Sequence, residues 1–343
     1  MQLSDFDYEL PDDLIAQDPL YERESSRMLI VNPRAGTFQD DRFTTLPARL
    51  RAGDVLVLNN TRVFPARLFG NSDTGARVEI FLMNKISDLA WEALARPGRR
   101  LKVGKLVEFG PELKGTVKKK LAEGRVVIDF DFVGDFDDIL SRVGRTPLPP
   151  YIKRESGGID GDRDRYQTVY ARSSGAIAAP TAGLHFTSEL LERIKADGVE
   201  VVEITLHVGY GTFEPVRVED LARHSVLPER YEIGEAVCEI LNLARDAGRR
   251  IVAVGTTTTR TLETAITRHG KFVPKKGVAD LTITPGYQFK AVDALLTNFH
   301  LPRSSLLILV STFGGHELIM NAYRHAVAAN YRFYSYGDCM FIE

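Results

Sequence analysis

The stretch Ile251-Val252-Ala253-Val254-Gly255-Thr256-Thr257-Thr258-Thr259-Arg260 decides the fold class. Its four apolar residues predict a short buried strand, its glycine predicts a turn, and its threonines predict the start of a helix. A strand that leads directly into a helix is the repeating unit of α/β proteins. An α/β fold is therefore expected if the flanking sequence alternates in the same way.

The flanking sequence does alternate between strand and helix patterns. Apolar residues recur at helical spacing over 188–197, and a strand is predicted over 199–208. Further helices are predicted over 234–247 and 317–329, and glycines follow the first two of these three helices. The C-terminal half is therefore predicted to form an α/β sheet with helices packed on it.

The N-terminal part is interrupted by a segment of different character. Apolar runs at 28–31 and 55–58 predict two buried strands, but residues 67–133 hold several short alternating runs separated by Gly and Pro. Thr146-Pro147-Leu148-Pro149-Pro150-Tyr151 then marks a boundary, because prolines this dense fit neither a helix nor a central strand. We predict a larger mixed α/β body (1–66 and 147–343) with a small all-β, barrel-like domain (67–146) inserted into it.

Composition excludes several classes of protein. The 343 residues are 44% hydrophobic and 26% charged, as in globular proteins. Two cysteines are too few for a disulfide framework and suit the reducing cytoplasm. The first residues lack the basic and apolar regions of a signal peptide, and the apolar run at 306–310 is too short to span a membrane. We expect a cytoplasmic protein without membrane contact.

Charge is distributed unevenly along the chain. The net charge is −2, but residues 96–154 carry 14 Lys and Arg against 8 Asp and Glu, so the remainder carries a net −8. A basic region on an acidic protein can bind nucleic-acid phosphates. The competing interpretation is an ordinary solvated surface rich in lysine.

Common cofactor motifs are absent from the sequence. It has no phosphate-binding P-loop pattern, and Gly209-Tyr210-Gly211 lacks the third glycine of a dinucleotide site. His316-Glu317 resembles the start of a zinc protease motif, but Met320 stands where the second histidine is needed. These observations argue against nucleotide hydrolases, dehydrogenases and metalloproteases.

Five polar motifs stand at predicted strand ends or helix starts, where α/β proteins bind ligands. Three contain a histidine that could exchange protons near neutral pH, one opens a helix with threonines, and one follows a strand with two asparagines. They are 178–187 with His185, 207–213 with His207, 297–302 with His300, 255–260, and 58–67 with Asn59, Asn60 and Arg62. Four of them also have a purely structural interpretation: a capping histidine at 185, a glycine turn at 209–211, an Arg260–Glu263 ion pair within one helix, and a turn formed by Asn59 and Asn60.

The ordered set of motifs closely resembles the S-adenosylmethionine:tRNA ribosyltransferase-isomerase family of queuosine biosynthesis. The resemblance extends from near residue 26 to near residue 340 and is specific because so many separate stretches match in order. Besides the five motifs, the matching stretches are 26–29, Arg96-Pro97-Gly98-Arg99, 147–152, 165–171 and Tyr331-Arg332-Phe333 with Tyr336-Gly337-Asp338. One departure is Leu227, where the family commonly has a second histidine three residues after His224.

The resemblance implies a reaction and its partners. The ribosyl part of S-adenosylmethionine would be transferred to the aminomethyl group of a 7-deazaguanine at the tRNA wobble position and isomerised to epoxyqueuosine, releasing adenine and methionine. S-adenosylmethionine would thus be a consumed substrate, with no cofactor and no metal, and a monomer is expected. Rival interpretations are an S-adenosylmethionine-dependent RNA methyltransferase and a non-catalytic tRNA-binding protein.

The chemistry implied by the resemblance requires acids and bases. A base must take a proton from the carbon beside the sulfonium, an acid should protonate the departing adenine, and the attacking amine must lose a proton. The catalytic candidates, which the sequence does not rank, are His185, His207 and His300. Arg260 or the amides of Thr256, Thr257 and Thr258 could hold the methionine carboxylate, and Tyr166 and Tyr170 could stack on a base. Other substrate-binding candidates are Asn59, Asn60, Arg62, Thr181, Phe186, Gly209, Gly211, Thr212 and Asn298, and the tRNA-binding candidates are Arg96, Arg99, Arg100 and Lys102.

Overall fold

The computed structural model describes residues 1–98, 101–154, 161–213 and 215–343. Within them the predicted alternation is confirmed, with strand and helix limits within two residues of those expected for the C-terminal half. The strands are β1 Arg27–Asn32, β2 Thr37–Arg42, β3 Val55–Asn59, β4 Thr61–Val63, β5 Arg67–Ser72, β6 Arg77–Lys85, β7 Ala90–Arg96, β8 Leu106–Glu108, β9 Leu113–Lys120, β10 Arg125–Phe132, β11 Ser173–Ala176, β12 Glu200–Leu206, β13 Glu229–Ile233, β14 Ile251–Val254, β15 Lys275–Ala279, β16 Ala294–Asn298 and β17 Cys339–Ile342. The α-helices are α1 Leu46–Arg49, α2 Phe136–Val143, α3 Asp162–Arg165, α4 Ser188–Ala196, α5 Glu235–Asp246, α6 Thr256–His269, α7 Ser305–Gly314 and α8 His316–Ala328.

A nine-stranded mixed sheet forms the body, in the order β15-β13-β12-β3-β14-β16-β17-β1-β2. The four central strands β12, β3, β14 and β16 are parallel, so their carboxyl ends meet at one edge of the sheet. Strands β17 and β1 run the opposite way, so they begin at that edge. The turns after four strands and the segments before two more therefore converge there.

Residues of the central strands alternate between two hydrophobic layers, as the pleat of a strand requires. Val55, Val57 and Ile251 lie in one layer with helices α5 to α8, whereas Leu56 and Val252 lie in the other with α4. Every residue of β3, β14 and β16 is buried. Each buried Val, Leu or Ile side chain contributes about 1.5–3 kcal/mol, so this sheet is a rigid support for the loops at its edge.

The inserted β segment closes into a barrel of six strands, in the order β10-β7-β6-β5-β8-β9. Alternate residues of its strands, such as Val126, Ile128 and Phe130, fill the barrel interior. Phe64 and Ile177 of the flanking chain also lie in this barrel core, so the barrel is packed against the body. The domain limits at 66/67 and 146/147 stay a prediction.

Helices α7 and α8 cover one end of the sheet. The apolar run 306–310, predicted to be a buried element, forms half of α7, with Leu307, Ile308 and Val310 fully buried. Gly315 separates the two helices, which meet at 117°. Among the described residues no single helix has the length and apolarity needed to cross a membrane, and only this bent pair reaches them jointly.

Candidate functional site

A cavity lies at the edge where the carboxyl ends of the parallel strands meet. Its wall combines the turns after β12, β14 and β16 with the 178–182 segment and the segment before β17. The lining residues are Tyr151, Tyr166, Ala178, Ala179, Pro180, Thr181, Ala182, Val208, Thr212, Gly255, Thr256, Thr257, Thr297, Asn298, Phe299, His300, Leu306, Tyr334 and Ser335. Motifs far apart in sequence thus form one site because the strand order brings their turns together.

The start of helix α6 presents amide groups to this cavity. Gly255 turns the chain from β14 into the helix at φ 92°, a conformation that residues with a side chain rarely adopt. The first hydrogen bond of the helix runs from the Thr259 N–H to the Gly255 carbonyl. The N–H groups of Thr256 to Thr258 therefore have no carbonyl partner within the helix. A helix start of this kind favours an anionic ligand group.

His300 follows β16 and is 7% exposed, on the cavity wall. Its Nε2 lies 2.9 Å from the Thr297 hydroxyl, which itself donates to the Asn298 carbonyl at 3.3 Å. We therefore assign the proton to Nε2 and the free lone pair to Nδ1. Nδ1 has no hydrogen-bond partner among the described residues, and burial lowers the pKa of the ring to about 3, so the imidazole is neutral.

His185 lies behind Asn298 and has both ring nitrogens occupied. Nδ1 is 3.0 Å from the Ser26 hydroxyl, and Nε2 is 3.3 Å from Asn298 Oδ1. Because Asn298 Nδ2 donates to the Tyr334 carbonyl at 2.9 Å, its Oδ1 must accept, so His185 donates through Nε2. Burial lowers the His185 pKa to about 4. His185 thus orients Asn298. The helix-capping alternative is wrong, because the Thr187 side chain caps α4.

His207 occupies a different place. Its Nδ1 lies 2.9 Å from the Thr61 hydroxyl, and its ring packs against Gly175, where an added Cβ would come within 2.8 Å of the imidazole. Val208, not His207, faces the cavity from this strand end, since neighbouring side chains point to opposite faces. The contacts of His207 are those of a residue that joins β12 to the β4–β11 pair.

Arg260 has a partner that the sequence did not indicate. The Arg260–Glu263 pair expected as the structural alternative is wrong: Arg260 pairs with Glu229 of β13. Glu263 instead accepts from the N–H groups of Lys290, Ala291 and Val292. The Arg260–Glu229 pair lines a side lobe of the cavity, which we define by its residues Thr212, His224, Val226, Glu229, Thr256, Thr257, Arg260, Leu281, Thr282, Ile283, Ser305, Leu306 and Leu309.

Comparison with known proteins agrees with this assembly of motifs. A model of the family described as queuosine biosynthesis protein matches residues 3–342. The chain belongs to this family. The S-adenosylmethionine:tRNA ribosyltransferase-isomerases of Symbiobacterium thermophilum and Desulfitobacterium hafniense are 51% and 48% identical to it, with both chains covered completely. The crystal structure of S-adenosylmethionine tRNA ribosyltransferase from Thermotoga maritima is similar at 36% identity, covering 99% of this chain and 100% of that one, with a TM-score of 0.56.

In this member of the queuosine biosynthesis family, the predicted site residues do not all lie at the cavity. Seven line the cavity: Tyr166, Thr181, Thr212, Thr256, Thr257, Asn298 and His300. The rings of Tyr166 and Phe186 are fully buried, and Phe186 packs on Phe43 in the core. Tyr166 therefore meets the cavity as part of its wall, not as an exposed stacking platform.

Several other candidates support the wall from behind. Asn59 both donates to and accepts from the backbone of Leu206, which ties the end of β3 to β12. The Asn60 side chain donates to the Glu203 carboxylate and accepts from the Thr205 hydroxyl. The Thr258 hydroxyl donates to the carbonyl of Val254 at the end of β14, so only its backbone N–H remains for a ligand. Of the other three candidates, Tyr170 packs over Gly183, while Gly209 and Gly211 lie beside Glu229 and Leu227.

Neither of the two tRNA-binding candidates that the structure describes lines the cavity. Arg96 and Lys102 are exposed on the barrel, whereas Arg99 and Arg100 lie outside the described residues. Arg62 lines a separate cleft between α2 and the 162–174 segment. This family member therefore presents basic side chains on two surfaces besides the cavity.

Some cavity residues were not predicted from sequence. Tyr151, Tyr334 and Ser335 come from stretches near matching motifs that carry no obvious reactive group, and Thr297 precedes a predicted asparagine. Tyr151 and Ser335 share a hydrogen bond of 2.5 Å across 184 residues. Glu229 stands in a strand pattern of alternating charge, typical of a solvated edge. The sequence signals near them were the proline-rich boundary before Tyr151, the 297–302 motif and the matching stretches on either side of Tyr334 and Ser335.

Proposed function

We propose that this protein is an S-adenosylmethionine:tRNA ribosyltransferase-isomerase and that the cavity at the sheet edge binds S-adenosylmethionine and the modified wobble base. The observation that carries the proposal is the neutral His300 ring, with an unpaired Nδ1 among the described residues, on the wall of a cavity that also holds the start of α6. Membership of the queuosine biosynthesis family supports it. In this reaction S-adenosylmethionine is consumed and tRNA is the acceptor.

The proposed reaction begins with removal of a proton from the carbon beside the sulfonium. His300 Nδ1 is the base in this proposal, because its lone pair opens to the cavity and its other nitrogen is held by Thr297. Burial keeps the ring uncharged, which also avoids repulsion with the sulfonium cation. The proton that His300 takes is then available for the departing adenine.

His185 and Asn298 have a positioning role in the proposal. The chain Ser26–His185–Asn298 ends on the cavity wall, where the Asn298 amide is oriented by the Tyr334 carbonyl. An amide whose donor and acceptor ends are both assigned can distinguish hydrogen-bonding groups on a ribose or a base. The hydroxyls of Thr181, Thr256 and Thr257 add further polar contacts.

The decisive experiment incubates the full chain with S-adenosylmethionine and tRNA that carries the aminomethyl-deazaguanine. The expected result is release of adenine and methionine in step with a mass gain on the tRNA. S-adenosylhomocysteine as the product would instead indicate a methyltransferase. Tight tRNA binding without any adenine release would overturn the enzymatic proposal in favour of a binding role.

A further inference from the structure

The side lobe is continuous with the main cavity. Thr212, Thr256, Thr257 and Leu306 line both, so a ligand in the cavity can extend into the lobe past the start of α6. The lobe is bounded on one side by apolar residues and at its end by a charged pair. An extended ligand with an apolar stem and a charged terminus would match this division.

The charged pair is almost completely buried. The side chains of Arg260 and Glu229 are 13% and 6% exposed. A buried ion pair contributes little to stability compared with apolar residues of the same size, so its presence beside a cavity is better explained by ligand binding. Both charges are also fixed in place: Glu229 Oε1 accepts the Gly209 N–H at 2.7 Å, and Arg260 contacts Glu229 and the Leu227 carbonyl.

Arg260 keeps unused donors. Its contacts with Glu229 and Leu227 both use Nη2, so Nη1 has no partner among the described residues, and Nε is buried without an acceptor there. The guanidinium has five N–H donors in a planar fork that fits a carboxylate. Among the described residues Glu229 accepts from the Gly209 N–H, the Thr212 hydroxyl and Arg260, so its two oxygens can accept about one further hydrogen bond.

The apolar side of the lobe suits a thioether chain. Val226, Leu281, Ile283 and Leu309 line it, and Leu306 stands at the opening to the main cavity. The lobe also contains His224, whose Nε2 lies 3.0 Å from the Ser305 hydroxyl. Carboxylate-binding, ammonium-binding and apolar surfaces are thus present within one small space.

We infer that the side lobe binds the zwitterionic amino-acid end of S-adenosylmethionine, with Arg260 holding the α-carboxylate and Glu229 accepting from the α-ammonium. The inference rests on the proposed function and assigns a role to Glu229. The methylene groups of the methionine moiety lie against the apolar side, and the amides at the start of α6 face the carboxylate together with Arg260. Substrate selection is therefore achieved by a pair of opposite charges that are already in contact before binding.

The test compares three substrates in the adenine-release assay: S-adenosylmethionine, its analogue without the carboxylate, and its analogue with a hydroxyl in place of the α-amine. We expect the unsubstituted protein to prefer S-adenosylmethionine by about 100-fold in kcat/KM over each analogue, since a site built for a polar group rejects a ligand that lacks it. Arg260→Gln should reduce the first preference to about 5-fold or less and largely keep the second. Glu229→Gln should do the reverse.

The matched control is Arg268→Gln. Arg268 lies on α6 like Arg260, and the substitution removes its surface ion pair with Asp280, which lies outside the helix. It should leave both preferences unchanged. If Arg260→Gln and Glu229→Gln lower kcat/KM equally for all three substrates, the two residues only support the structure and the inference is wrong. Should either variant not fold, Arg260→Lys and Glu229→Asp replace them in the same comparison.

A calorimetric measurement separates this inference from the proposed function. L-methionine should bind the unsubstituted full chain, whereas methioninol, which lacks the carboxylate, and 4-(methylthio)butanoate, which lacks the ammonium, should bind at least about 10-fold more weakly. This result can be obtained even if no adenine is ever released. Equal binding of all three compounds, or no methionine binding at millimolar concentration, would overturn the inference while leaving the enzymatic proposal intact.

Discussion

At His300, a hydrogen bond to a neighbouring hydroxyl selects which ring nitrogen can act as a base. The Thr297 hydroxyl lies 2.9 Å from Nε2 of His300. The backbone of His300 is also fixed: its carbonyl accepts from the Tyr8 hydroxyl, and its N–H donates to the Tyr323 hydroxyl. One hydrogen bond on the ring and two on the backbone keep the lone pair in one direction, which general-base catalysis requires.

The first prediction at this scale concerns the three histidines. His300→Gln should lower kcat for adenine release by about 100-fold or more, because it removes the base but keeps a side chain of similar size. His207→Gln should change kcat by only a few-fold, since that ring bonds Thr61 away from the cavity. The assay is adenine release under saturating substrate. Activity of His300→Gln close to that of the unsubstituted protein would falsify the assignment of the base.

The second prediction concerns stability in acid. His300 and His185 have folded-state pKa values of about 3 and 4, below the usual value of 6.5. Below pH 6.5 the unfolded chain therefore binds protons that the folded chain does not, and the free energy of unfolding should fall by about 1.4 kcal/mol per pH unit for each ring. The effect is absent above pH 6.5 and complete near the folded pKa.

Urea unfolding of the unsubstituted protein and His300→Gln at several pH values between 7.5 and 4.5 measures this effect. The difference between the two proteins isolates the His300 contribution from that of the carboxylates. The unsubstituted protein should lose stability more steeply than the variant below pH 6.5. Parallel curves would show that the ring is protonated as easily in the folded chain as in the unfolded one.

Among the elements, α6 connects the site to the sheet and to a loop on its other side. Its first turn lines the cavity, and its second turn carries Glu263, which is fully buried. Glu263 accepts from Lys290, Ala291 and Val292 and from the Tyr287 hydroxyl, so one carboxylate holds the whole loop that leads into β16. Because β16 ends in Asn298, this loop also fixes the position of Asn298 in the cavity wall.

The prediction for this element is that Glu263→Ala destabilises the protein strongly. Several buried donors lose their acceptor at once, and each unsatisfied donor costs about 1–3 kcal/mol, so the free energy of unfolding should fall by about 3 kcal/mol or more. Urea denaturation measures the change. Glu239→Ala on the exposed face of α5 is the control and should stay within about 0.5 kcal/mol of the unsubstituted protein. A loss as small as that of the control would contradict the role given to Glu263.

For the whole molecule, the barrel packs beside the turn that contains Tyr210. Phe81 of β6 packs edge-on against Tyr210 with ring centroids 6.0 Å apart, and Arg217 pairs with Glu123 of a barrel loop at 3.3 Å. The basic residues of the barrel therefore belong to a domain that packs against the loops near the cavity. A macromolecular substrate can contact both only if the barrel stays packed on the body.

The prediction at this scale concerns the tRNA-binding candidates Arg96 and Lys102, which are exposed on the barrel. Replacing either by Ala should weaken tRNA binding and reduce the slope of log affinity against log salt by about 1, the effect of losing one phosphate contact. Filter binding between 50 and 200 mM salt, as is usual for such contacts, measures both quantities. Lys195→Ala on α4 is the control. If the Arg96 and Lys102 variants leave the slope unchanged, as the control should, the barrel is not part of the tRNA interface.

Local sequence was sufficient for the elements and for the family. Apolar runs of period 2 or 3.6 predict strands and helices because these patterns depend on neighbours within a few residues, and Ile251–Arg260 became β14 and the start of α6 as expected. The same applies to the barrel, whose alternating strands are connected by short turns. The motifs at strand ends could also be identified, because parallel strands bring their carboxyl ends to one edge.

Only the tertiary structure decided which side chains face the cavity and what each one bonds. His185, His207 and His300 stand in similar sequence contexts, but contacts with Ser26, Thr61 and Thr297 give them three different environments. Arg260 has a glutamate one helical turn away and pairs instead with one 31 residues distant. The physical reason is that protonation and pairing depend on burial and on donors brought from distant parts of the chain, which no local pattern encodes.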